Sequence, residues 1–191
     1  MTNAPTLSQR LRAETASEHE RMEGLMATAA PFSSREAYAR FTATQYLFQQ
    51  DVEHFFADSA LQATVPDLHV RGRLQAARDD LTDLGSAVPE DAPATAGVTM
   101  PQALGWLYVS EGSTLGAAFL FKEAQEKLSL SETFGARNLA AYPGGRGKVW
   151  KQFVVTLDAQ PVGTHDAVVA GAQAAYRRMG ELLQGLPAVK V

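Results

Sequence analysis

Apolar residues recur along the chain mostly at helical spacing, and no run alternates apolar and polar positions as a half-buried strand would. The most telling stretch is residues 103–123, ALGWLYVSEGSTLGAAFLFKE, where Leu104, Leu107, Tyr108, Leu115 and Phe119 form an apolar stripe. The stripe predicts a buried or half-buried helix. Its centre is poor helix material: Gly112 and Gly116 stand four apart, with Ser110, Ser113, Thr114, Ala117 and Ala118 around them. Each glycine costs about 1 kcal/mol against alanine inside a helix. A pair on one face implies that another backbone, or a flat bulky ligand, comes close there.

The remaining stripes place the other helices. Leu7, Leu11, Thr15, Met22, Leu25 and Met26 predict a first helix over residues 7–27, with His19 and then Glu23 at the edge of its apolar face. Pro31, Ser33 and Ser34 mark a break and a cap. A second helix follows over 35–58, along Tyr38, Phe41, Gln45, Phe48, Val52 and Phe55, and a third over 67–84 that Gly85 closes. Residues 86–98 read as an exposed linker. Thr99 is the expected cap of the glycine-bearing helix, which runs to about residue 128. Residues 129–141 suit one short helix, and 142–148, YPGGRGK, a flexible turn with two positive charges. Helices over 149–159 and 164–184 complete the chain, the last with Val168, Ala172, Ala175, Tyr176, Met179 and Leu183 inward. The sum is an all-α domain of six or seven helices spanning residues 1–191.

Composition narrows the function classes. A chain of 191 residues suits one core, and 46% apolar residues mark it as globular. Net charge of −4 argues against a nucleic-acid binder. The absence of cysteine excludes thiol nucleophiles, iron–sulfur clusters and a thiolate metal ligand. No apolar run reaches the ~20 residues that span a bilayer, and the first fifteen residues lack the apolar core of a signal peptide. A cytoplasmic, membrane-free protein is expected.

His19 is the leading candidate for chemistry. Glu23, one turn on, can reach the same ring, and a metal-bound imidazole donates its second N–H to such a carboxylate. Arg12 lies seven residues earlier, nearly on the same face and about 10 Å along the axis. The same residues also read as a solvated helix edge of mixed charge, and spacing alone does not separate the two. Gly112 and Gly116 likewise allow two readings, a close helix crossing or room for a ring system. His54 beside two phenylalanines reads as buried, His69 opens the third helix, and His165 sits inside a helix N-terminus.

The motif YVSEGSTLGAAFLFK resembles the distal-helix signature of haem oxygenases of the bacterial type, and Thr15-x-x-x-His19-x-x-x-Glu23 resembles their proximal-histidine motif. The two lie at matching places in a chain of matching length. The resemblance implies that haem is both cofactor and substrate, held between a proximal N-terminal helix and a kinked distal helix. It implies that His19 ligates the iron, Glu23 orients it, and Gly112 and Gly116 let the distal backbone bend bound oxygen toward a meso carbon. The products are then biliverdin, CO and iron, with electrons from a ferredoxin or reductase and a bilin-accepting photoreceptor as a further partner. Mammalian members place an aspartate after the first distal glycine; Ser113 stands there, as bacterial members also lack that acid.

For the propionates the candidate cations are Arg12, Lys122, Lys151 and Arg177. KVWKQF (148–153) resembles the family segment that brings a lysine to a propionate, and Lys151 matches it; Val155 stands where an arginine would follow. Tyr176 matches an aromatic of the last helix against the haem. A non-catalytic haem carrier shares all these features. A di-iron site would want a second Glu-x-x-His, which the chain lacks, and nothing marks a plain interaction module.

Overall fold

The first apolar stripe belongs to two helices. The computed structural model describes residues 4–186. In it α1 (Leu7–Glu14) opens on a capping box between Thr6 and Gln9, and Thr15 (φ −117°, ψ 11°) separates it from α2 (Ala16–Ala29). The Thr15 hydroxyl donates back to the Leu11 carbonyl at 2.7 Å, a bond that bends helices. The expected unbroken helix over 7–27 is corrected accordingly. α1 is rooted in the core by Leu7 and Leu11, whereas α2 buries only Met22 and Ala29.

The Ser34 hydroxyl accepts from the Ala37 amide at 3.0 Å and starts α3 (Arg35–Glu53), as the break-and-cap signal predicts. The second predicted helix runs short: a tight turn, His54–Ala57, follows, and Asp58 caps α4 (Ser59–Thr64), which no stripe announces. The third predicted helix starts late, as a turn at Leu68–Val70 and then α5 (Leu74–Asp83). Gly85, at φ +66°, supplies the left-handed turn after it.

The long helix α6 (Gln102–Leu128) is hydrogen-bonded without a break through Gly112 and Gly116. It begins behind Pro101, so Thr99 is not its cap. Residues 129–141 hold only a turn at Arg137–Leu139. α7 (Arg146–Asp158) begins inside the predicted turn, because Gly145 at φ +83° redirects the chain. α8 (His165–Gln184) ends the described chain. Among the described residues there are eight α-helices and no strand, two helices more than the lower expectation because of the Thr15 break and α4.

α6 and α8 cross at the centre. A methyl group on Gly105 would run into the Val168 carbonyl, and one on Gly171 into that of Gln102. The close backbone approach at Gly105 therefore lies about two and three turns before the glycines singled out by the sequence. Two apolar clusters surround the crossing. One joins Leu11, Phe48, Leu104, Phe153 and Val168; the other joins Met22, Tyr38, Phe41, Ala117 and Leu183. Tyr176 and Met179 pack against both, at the seam where the site opens.

Candidate active site

A cavity of about 970 Å³ opens at that seam, at the upper end of the ~300–1,000 Å³ usual for small-molecule sites. Thr15, His19 and Glu23 of α1–α2 form one wall, and Gly112, Ser113 and Gly116 of α6 form another. Tyr176 from α8 and Trp150 from α7 close the sides. Leu115 and Phe119, expected to be buried, are 38% and 77% exposed because the second half of the α6 stripe faces this space rather than the core. A shallower depression of about 540 Å³ at His54 and Met100 gathers none of the predicted site residues.

His19 is the one histidine among the residues lining the cavity. Its side chain is 61% exposed and its Nδ1 stands 3.7 Å from Glu23 Oε1. That leaves Nε2 uncommitted. The weak burial of α2 explains the exposure: nothing of the core covers its edge. The other histidines stand apart. His54 is exposed, correcting the expectation of burial, since it sits on the outer side of the turn whose Phe55 goes inward. His69 is exposed and His165 is buried with Nε2 3.1 Å from the Gln160 carbonyl.

The glycine wall is open. A Cβ built on Gly116 meets nothing within 4 Å, and one on Gly112 meets only the Trp150 ring at 3.7 Å. The helix-crossing reading of this pair therefore fails, and Gly105 with Gly171 takes that role. Absent side chains at Gly112 and Gly116 leave bare backbone facing the cavity.

Behind Ser113 lies a polar cluster whose key member no sequence signal singled out. Arg73, also in the cavity wall, donates through Nη2 to the Ser110 carbonyl at 2.9 Å and the Ser113 hydroxyl at 3.1 Å. Its Nε is buried without a partner, and so is Gln49 Oε1, whose amide donates to Ser110 Oγ at 3.1 Å. Two such orphans beside one serine mark a place for ordered water. Arg73 is placed by Glu53, whose Oε1 accepts from the Arg73 and Leu74 amides at 2.6 and 2.7 Å and so caps α5. Burial pushes the Glu53 carboxyl up, against those two amides and the Arg73 charge. Gln45, the polar residue inside the predicted α3 stripe, also lines the cavity; a polar interruption in an apolar stripe was its signal.

The opposite end gathers Arg12, Thr15, Tyr108 and Tyr176. Arg12 is exposed and has no ion-pair partner among the described residues. Burial pushes Tyr176 up to about 12, with Tyr108 adding to the effect and the Thr15 hydroxyl opposing it. Burial also raises Tyr108, against Thr15 and Arg12. Both phenols therefore keep their protons at neutral pH and can donate. Of the predicted site residues, Lys122 and Lys151 are not brought in: both are exposed outside the cavity wall, and Lys122 pairs with Glu126 at 3.7 Å. Arg177 is exposed, also outside it.

Comparison with known proteins bears directly on this arrangement. A family model described as heme oxygenase matches residues 5–185. The chain is 48% identical over 181 residues to Heme oxygenase PigA of Pseudomonas aeruginosa, covering 93% of this chain and 91% of that protein. Its fold superposes on the NO- and CO-bound heme oxygenase of Neisseria meningitidis with a TM-score of 0.88, at 36% identity over 98% of this chain and 96% of the other. Heme oxygenase 2 of Chlamydomonas reinhardtii, determined without heme, shares the fold at 16% identity, with a TM-score of 0.81 over 98% of this chain and 100% of that one.

Proposed function

The chain belongs to the haem oxygenase family, and on that premise we propose how its residues divide the work. Its activity is the opening of haem to biliverdin with O₂ and electrons from an external donor, releasing CO and iron. The reading of the site is carried by one observation: an exposed imidazole on α2 and the side-chain-free Gly112 and Gly116 of α6 line one cavity of porphyrin scale.

The residues present fit haem. One wall offers a single imidazole, the other the bare backbone at Gly112 and Gly116, and one end a cation with two neutral phenols for carboxylates. Bound haem supplies the iron that takes O₂ and the carbon that is oxidised. His19 would hold the iron through Nε2, with its Nδ1–H donating toward the Glu23 carboxylate and so fixing the tautomer. Gly112 and Gly116, lacking side chains, would let the α6 backbone lie close over the haem. Ser113 and Arg73 hold water there and keep a hydrogen-bond donor near the reacting oxygen. Arg12, Tyr108 and Tyr176, with Thr15 beside them, receive the propionates.

The finer partners follow from the same reading. The electron donor is of the ferredoxin or reductase type, and the enzyme works in the cytoplasm where such carriers are reduced. No helix among the described residues is long and apolar enough to cross a membrane. The biliverdin isomer divides two purposes: the alpha isomer suits supply to a photoreceptor, and other isomers suit iron release. The test is turnover. Purified protein with equimolar haemin, O₂ and ascorbate, or a ferredoxin with its reductase, is expected to lose the haem bands as a bilin band and CO appear. Persistent haem would make the chain a haem carrier.

A further inference from the structure

Arg146 is a cation in an unfavourable place. It is the first residue of α7, where the helix dipole disfavours positive charge. It is half-buried, and among the described residues it has no carboxylate partner. Burial, and then the charge of Arg73, both lower its pKa. What it has instead is two carbonyls. Nη1 donates to Thr114 at 2.7 Å and Nη2 to Leu139 at 2.6 Å.

One carbonyl belongs to a residue that lines the active-site cavity and the other to a buried residue between two that do. Thr114 lies between Gly112 and Gly116, and Leu139 lines the cavity from the segment that follows α6. That segment is fixed. Fully buried Asp80 accepts from the Arg137 and Asn138 amides at 2.9 Å each and from Asn138 Nδ2 at 2.8 Å. Four residues before Arg146, the Tyr142 hydroxyl lies 2.9 Å from Glu111 Oε1. Residues 142–146 therefore hold α6 at Glu111 and Thr114, three positions apart and on one helix face. Gly145 makes this possible: at φ +83° it turns Arg146 inward, while Lys148 stays exposed.

We propose that residues 142–146 are a strap on the back of α6, and that Arg146 is a positioning residue that sets the height of the Gly112–Gly116 backbone over the haem. Two glycines make this the weakest part of α6, and it is the part whose position decides where oxygen can lie. The strap supplies from outside the rigidity that the glycines remove. The inference rests on the reading of α6 as the ceiling of the haem site.

The test uses Arg146→Met, which removes both bonds, and Arg146→Lys, which keeps the charge but lacks the planar fork that spans two carbonyls. In haem-free protein, amide hydrogen exchange over residues 112–120 is expected to quicken about fivefold or more in both variants, with α8 amides unchanged. With haem bound, the biliverdin isomers are expected to become a broader mixture, while one haemin still binds with a histidine-ligated spectrum. Wild-type exchange, or wild-type isomer proportions, in the variants would overturn the proposal. If Arg146→Met does not fold, Arg146→Lys carries both measurements. Failure of the haem site itself reads differently: His19→Ala would keep the wild-type spectrum, whereas the exchange result needs no haem.

Discussion

The Arg71 guanidinium and the Glu111 carboxylate meet at 2.6 Å with 2% and 1% of their side chains exposed. The pair joins the link before α5 to α6 one residue ahead of Gly112, and the Phe153 ring lies 5.3 Å from the guanidinium carbon. Glu111→Ala removes the buried one of the two carboxylates on Arg71, leaving Asp67 at 2.8 Å, at a cost of about 1.5–3 kcal/mol. For a chain of this length that lowers the melting temperature by roughly 3–12 °C, measurable by circular dichroism. A change under about 2 °C would mean that water already compensates the pair.

Two glycines of the same helix should respond in opposite ways. Gly116→Ala adds a methyl group in open space and removes a helix penalty, so haem-free protein gains up to about 1 kcal/mol. Gly116→Leu keeps the fold but fills the slot, and haemin titration should show lost binding. Gly105→Ala drives a methyl group into the α8 backbone, and overpacking of that kind costs about 1–3 kcal/mol or more. Melting curves of the haem-free variants separate the two.

Glu53 predicts a pH dependence. Its carboxyl is raised above the ordinary 4.5 by burial, so the folded state holds the proton more tightly than the unfolded state. That contribution is complete below the ordinary carboxyl range and is lost as pH rises through the raised folded value. Glu53→Gln keeps an acceptor for the Arg73 and Leu74 amides and has no proton to lose. Melting temperature against pH, from 4 to 7, should fall more for the wild type than for the variant. Parallel curves would contradict the assignment.

At the propionate end, Arg12→Ala should weaken haemin binding by about 1–2 kcal/mol, roughly five- to thirtyfold, a modest loss because the side chain is exposed. Lys122→Ala and Lys151→Ala should bind within about twofold of wild type. Fluorescence quenching on haemin titration measures all three, and a larger loss at Lys151 would move the propionates to α7.

Stripes of apolar residues made most helices legible, because burial of one face decides where a helix forms. The boundaries escaped where local hydrogen bonds compete with the stripe. Thr15 splits the first helix by bonding Leu11, and Asp58 caps a short helix with no stripe of its own. In the site, His19, Glu23 and the two glycines stood out through the resemblance of their motifs to those of the family, since spacing alone left both readings open. Arg73 and Arg146 did not. Each looks like surface charge in sequence, and each is drawn inward by contacts with carbonyls and hydroxyls far along the chain. Lys151 was the reverse case, a matching motif whose side chain stays outside the cavity wall.

Haemin titration of wild type and His19→Ala, followed by absorption spectroscopy, tests the central claim most directly. One equivalent of haemin should give the wild type the spectrum of a histidine-ligated haem, and His19→Ala should lose it while keeping its helical content. An unchanged spectrum in the variant would place the iron on another residue and remove the haem from between α2 and α6.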